Sequence, residues 1–147
     1  MKKLFLLAAL FISLASYSQI EFIETTRTEV VSHVEFVYME KVGEDSYNFY
    51  YKNINSEAIN EYVHFTFTNL NNDFNSLHQI FLRGFQENPR EAFKIKANGA
   101  VVFLKFERQN DNEVKVQIKQ YVSRDPDVVT QSKFISQDEI NKLFSNQ

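Results

Sequence analysis

The sequence predicts an α+β fold: an antiparallel sheet of about six strands, with a central amphipathic helix and a short C-terminal helix packed on one face. Three observations carry that prediction. Apolar residues alternate at period two in several separate stretches, while residues 74–85 repeat at helical period instead. Asn98-Gly99 then sits between two alternating stretches, where a two-residue hairpin turn is expected.

The first strand is expected over residues 28–41, a run rich in β-branched and aromatic side chains. Val30, Val34, Phe36 and Tyr38 fall on one face, and Val37 and Met39 on the other. Val42-Gly43-Glu44-Asp45 is a turn signal. Tyr47, Phe49 and Tyr51 alternate with Asn48, Tyr50 and Lys52 in a second strand. In a third, Ile59, Val63, Phe65 and Phe67 point inward, and Tyr62, His64, Thr66 and Thr68 outward.

Asn71-Asn72-Asp73 offers three helix N-caps. Beyond it Phe74, Leu77, His78, Ile80, Phe81, Leu82 and Phe85 fill one arc of a helix. Gly84 lies on that side, where the lack of a side chain permits close approach to a sheet, and Asn88-Pro89 ends the helix.

A type I′ turn at Asn98-Gly99 sets Ile95 against Val102 and Phe93 against Leu104 on the core side. It sets Lys94 against Phe103 and Lys96 against Val101 on the other side. For the next strand, residues 114–122, two registers keep the core intact. Pairing Phe106 with Val114 opposes Lys105 to Lys115, whereas pairing Phe106 with Val116 opposes Glu107 to Lys115. Facing like charges are unfavourable, so the second register is expected, with Asn110-Asp111-Asn112 as its loop. Asp125-Pro126-Asp127 breaks the chain, and residues 128–135 read as an edge strand. Ser136-Gln137-Asp138-Glu139 is a capping box flanked by a hydrophobic staple of Ile135 and Ile140. Ile140, Leu143 and Phe144 form the apolar face of the closing helix.

Residues 1–18 read as a secretory signal peptide: Lys2 and Lys3, then an apolar run from Leu4 to Ala15, then Ser16-Tyr17-Ser18 before a cut at Gln19. As a helix, that run spans about 18 Å against the roughly 30 Å of a bilayer core, so no transmembrane segment is expected after cleavage. Residues 19–147 form the expected single α+β domain, periplasmic or secreted, with a net charge of −5 (14 basic against 19 acidic residues). The chain has no Cys, which excludes disulfides, thiol catalysis and Cys-ligated metals.

No HExxH, GxSxG, GxGxxG or Walker-type segment occurs. His33 and Glu35 share a strand face, but two ligands do not make a metal site; His33 and His64 read as solvent-facing and His78 as a hydrogen-bonded core histidine. No catalytic residue, metal or cofactor is expected. Charge is more informative. Residues 19–61 hold nine acidic and three basic residues, net −6, whereas residues 92–122 hold six basic and three acidic, net +3. There Lys94, Lys96, Lys105, Lys115 and Lys119 project from the outer face beside Val101, Phe103 and Tyr121. Lys94, Lys96, Phe103, Lys105, Lys119 and Tyr121 are therefore the candidate contact residues for a protein, an anionic glycan or a lipid headgroup. The plainer reading is a solvated face on which lysine discourages edge pairing. Tyr50, Tyr62 and His64 suggest a second surface, for sugar rings or protein. Nucleic acid is not an expected partner of an exported, acidic chain without a binding motif.

The MKKLFLLAAL leader, the Asn/Asp-capped central helix ending at Asn88-Pro89, and the closing SKFISQDEINKLF segment (132–144) together resemble small exported bacterial proteins of unknown function. The expected function is non-catalytic binding of a partner or anionic ligand through the Lys/aromatic sheet face. The alternative is a small periplasmic or secreted hydrolase, which requires a cleft with converging titratable groups.

Overall fold

The structure, a computed structural model, describes residues 26–121, 124–125 and 127–146. The leader at 1–18 and its cleavage point, like Val122 and Pro126, lie outside them. The elements run β1 (Thr28–Val34), β2 (Val37–Val42), β3 (Ser46–Lys52), β4 (Tyr62–Thr68), α1 (Asp73–Glu87), β5 (Phe93–Ala97), β6 (Ala100–Arg108), β7 (Val114–Tyr121), β8 (Val129–Gln131) and α2 (Gln137–Phe144). The fold is α+β, but the strands form two antiparallel sheets of four, β1-β2-β3-β4 and β5-β6-β7-β8, in place of the single sheet expected. Each sheet is a meander of sequential hairpins, and β4 and β5 do not pair. The physical reason lies in α1, whose apolar arc is wide enough to serve both sheets. Phe81 stacks at 6.0 Å on Phe49 of β3, and Phe85 meets Phe106 of β6 edge-on at 5.3 Å. The inner faces of the two sheets thus share one continuous core.

The stretch expected as one long strand is a hairpin that turns at Glu35-Phe36. Neither residue has a positive φ, so the turn needs none of the Asn or Gly that mark primed hairpins. A bulge between Val30 and Ser32 also shifts the parity of β1. Together they overturn the expected faces: Ser32 and Val34 pair with Met39 and Val37 on the core side, while His33 and Tyr38 point outward. Glu35, now in the turn, shares no strand face with His33. Ile59, expected inside, precedes β4 and is 85% exposed.

The second sheet follows the expected pairing. Asn98 and Gly99 both take positive φ (43° and 87°), and the four predicted pairs across β5 and β6 are present. Phe106 faces Val116 and Glu107 faces Lys115. The Lys115 ammonium, however, reaches Asp111 at 2.7 Å and Glu113 at 3.6 Å rather than crossing to Glu107.

Helix α1 begins at Asn72, itself left-handed at φ 62°, and its cap is supplied from further back. Asn69 Oδ1 accepts the Phe74 N–H at 3.0 Å. At the other end Asn88 is left-handed and donates its N–H to Gly84 O at 2.9 Å. Gly84 is where the helix meets β6: a Cβ there would lie 2.0 Å from Phe106 Cζ. Helix α2 has its full capping box, with Glu139 N–H donating to Ser136 Oγ and Ser136 N–H donating to Glu139 Oε2. It packs on the first half of the chain: Phe144 meets Phe74 of α1 at 5.0 Å, and Ser32 Oγ of β1 donates to Lys142 O.

Two polar features tie the sheets together. The fully buried Tyr51 of β3 donates its hydroxyl hydrogen to Gln120 Oε1 of β7 at 2.8 Å, and a 2.7 Å bond joins it to Thr130 Oγ1 of β8. Burial pushes its hydroxyl up to about 12, against a smaller opposing effect of the Thr130 bond. The segment after β3 also straps the edge of β8. Ile54 N–H donates to Gln131 O, Asn53 Oδ1 accepts from Gln131 N–H, and Asn55 Nδ2 donates to Val129 O. That strap satisfies an edge that would otherwise expose its backbone.

Candidate functional site

Strand register decides what the second sheet offers to solvent. Successive side chains alternate across the sheet, so the pairs Lys94–Phe103, Phe103–Lys119 and Lys119–Gln131 form one outer row across β5, β6, β7 and β8. Lys96 faces Val101 beside it, Lys105 faces Gln117, and Tyr121 faces Val129. All six predicted contact residues are therefore on one face. Lys94, Lys96 and Tyr121 are exposed, and Phe103, Lys105 and Lys119 half-buried. Phe103 meets Tyr121 edge-on at 5.4 Å, and Lys94 Nζ stands 5.8 Å from the Phe103 ring centre.

The electrostatics of this face are uneven. Hydrogen bonding from Lys115 holds the Asp111 carboxyl below the usual range, and the same bond raises the Lys115 ammonium. That end of the sheet is neutralised. Lys94, Lys96, Lys105 and Lys119 have no carboxylate within ion-pairing distance among the described residues, although Lys105 donates to Arg90 O. Four cations around an aromatic pair can hold an anion, but they include no base or nucleophile poised for bond breaking.

The outer face of the first sheet carries a different pattern. His33, Tyr38, Tyr50 and His64 pair successively across β1, β2, β3 and β4. Tyr38 and Tyr50 stack at 4.4 Å with planes 7° apart, His64 follows at 4.7 Å, and Tyr62 tilts against Tyr38 at 5.4 Å. Burial, followed by nearby groups that include Glu40, raises both the Tyr38 and Tyr50 hydroxyls. A sugar ring stacks on a free aromatic face, and here Tyr38 and Tyr50 cover each other. Sequence reasoning placed Tyr50, Tyr62 and His64 on this surface and His33 in solvent, but it missed Tyr38, because the bulge and the unmarked turn hid the parity of that hairpin.

No family model, curated protein or solved structure matches this chain. Its chemistry is thus read from its own residues. His78 is structural: Nε2 lies 2.9 Å from Asn141 Oδ1, and the ring stacks on Phe144 at 4.7 Å. Among the described residues no three His, Cys, Asp or Glu side chains gather to hold a metal, and no helix is long and apolar enough to cross a membrane. An open depression of about 710 Å³ has Glu61 and Asp127 among its lining residues, with Asn53 and Thr130. There, hydrogen bonds from Asn53 and then Ser56 hold Glu61 below the usual carboxylate range, opposite to what a general acid requires.

Proposed function

We propose that this chain is an exported, non-catalytic domain that binds an anionic partner through the outer face of its second sheet. One observation carries the reading: Lys94, Phe103 and Lys119 lie in a single row across three strands, with Lys96 and Lys105 alongside and, among the described residues, no carboxylate paired to any of the four lysines. Interspersed carboxylates would neutralise a merely solvated face. Here they gather at one end, around Lys115. The exposed Tyr121 and the half-buried Phe103 add apolar area on which a partner gains contact beyond charge attraction.

The test is retention of the purified protein on an immobilised acidic glycan, on anionic vesicles and on an acidic peptide resin, each at rising salt. Retention on at least one matrix is expected to weaken over the range in which the screening length falls from about 10 Å to 3 Å. A variant combining Lys94→Glu, Lys96→Glu, Phe103→Ala and Lys119→Glu should keep its circular dichroism and lose retention. Failure on all three matrices, or unchanged retention by the folded variant, overturns the proposal.

A further inference from the structure

β4 and β5 are the terminal strands of their respective sheets, and a cleft of about 300 Å³ lies between their edges and the N-terminal half of α1. Its walls are Phe65 and Phe67 of β4, Ile95 of β5, and Leu77 and Ile80 of α1. Leu70, 73% exposed, stands at its rim. The cleft opens to solvent, joins these apolar walls to the polar Thr68, Asp73, Ser76, Lys96 and Asn98, and falls at the lower end of small-molecule sites, roughly 300–1,000 Å³.

The polar groups of the cleft are mostly committed. Asn98 Nδ2 donates to Thr68 Oγ1 at 3.2 Å, and Asp73 Oδ2 accepts the backbone N–H groups of Leu70 and Asn71, each at 3.0 Å. Ser76 Oγ donates to Asn72 O. Lys96 also lines the cleft, is exposed, and has no carboxylate within ion-pairing distance among the described residues. The Asp73 carboxylate in the same cleft is already held by two backbone N–H groups, which leaves the Lys96 ammonium as the charged group open to a ligand, complementary to a chain with a single anionic head.

We propose that this cleft binds a free medium-chain fatty acid, its hydrocarbon between the two sheet edges and its carboxylate at Lys96. The site shares only Lys96 with the outer face of the second sheet and does not rest on the function proposed for that face. Binding here requires the cleft to be apolar, whereas binding there requires the face to be cationic.

Isothermal titration of the purified protein with hexanoate, octanoate, decanoate, decanol and decyltrimethylammonium tests the proposal. Saturable one-to-one binding of decanoate is expected, tightening about fourfold per methylene along the carboxylate series. Decanol and the cationic amphiphile should bind at least about tenfold more weakly than decanoate, and Lys96→Glu should erase that preference. Ile80→Trp fills the cleft and should abolish binding. Ser76→Phe blocks it from an exposed helix position should the first variant fail to fold. Lys105→Gln combined with Lys119→Gln, neither of which lines the cleft, should leave decanoate binding intact, which separates this site from the cationic face. The proposal is overturned by any of three results: no saturation with decanoate, equal affinity for decanol, or binding that persists in the folded Ile80→Trp and Ser76→Phe proteins. Uptake only by anionic vesicles, with no response to free decanoate, also overturns it.

Discussion

Gly84→Ala sets two effects against each other at one atom. In an exposed helix interior alanine is preferred over glycine by about 1 kcal/mol. At this position the added methyl would lie 2.0 Å from Phe106 Cζ and 2.1 Å from Cε2, far inside van der Waals contact. The ring has little room to retreat, because Phe85 meets it at 5.3 Å and Phe93 at 5.5 Å, both edge-on, and Phe106 is itself buried. Overpacking of this kind costs about 1–3 kcal/mol, and a clash this deep belongs at the upper end. The net expectation is a loss of about 1–2 kcal/mol, or roughly 3–8 °C in Tm for a chain of this size. Urea unfolding monitored by circular dichroism gives the value. Phe106→Leu, which removes the far end of the ring, should partly rescue the alanine variant, with a coupling of about 1 kcal/mol or more in the double-mutant cycle. If Gly84→Ala matches or exceeds the parent in stability, or if the two changes simply add, the close approach of α1 to β6 is not what the glycine serves.

Alkaline pH should expose the buried Tyr51 hydroxyl, because its folded value of about 12 lies above the ordinary 10.0. A raised value means that this stability is fully present below pH 10 and is lost as pH climbs toward 12, by about 2–3 kcal/mol in all. Urea midpoints at pH 7, 9 and 11 should show the fall. Tyr51→Phe should flatten the slope while costing about 1–3 kcal/mol at pH 7, because Gln120 Oε1 and Thr130 Oγ1 lose their buried partner. A Tyr51→Phe protein with the parental slope would place the alkaline effect elsewhere, for example at Tyr38 or Tyr50, whose hydroxyls are also raised. Ser136→Ala removes the acceptor for the Glu139 N–H and should lower stability by about 1 kcal/mol in a thermal melt. An unchanged melt would mean that α2 is held by its apolar face and its bonds to Ser32 and His78, without help from the cap.

The parts of the fold legible in the sequence are those in which a local rule has no competitor. Asn98-Gly99 admits one tight turn, and a slip of one residue in β6 would turn Val102, Leu104 and Phe106 out of the core. Like-charge opposition was enough to choose between the two β6–β7 registers, although Lys115 ends up bonded within its own loop. The turn at Glu35-Phe36 was hidden because both residues keep negative φ, leaving no glycine or asparagine as a marker. The division into two sheets was hidden for another reason: which edges pair depends on which sheets α1 covers, and periodicity states only that the helix has an apolar face. That Lys94, Lys96, Phe103, Lys105, Lys119 and Tyr121 share one face was legible from alternation alone. The cleft was not, since it joins Phe65, Leu77 and Ile95 from three elements that no short sequence window contains.

The two halves of the chain repeat one plan, four strands followed by a helix, yet neither keeps its helix to itself. The helix that closes the second half lies against β1 and α1, and the helix that closes the first presses Gly84 onto a ring of β6. Cutting the chain in the loop after α1 would therefore give two fragments, each missing part of its cover, and their refolding should become second order in concentration. The same exchange makes distant contacts a condition of the first stable core, so that folding should be slow for a chain of this length.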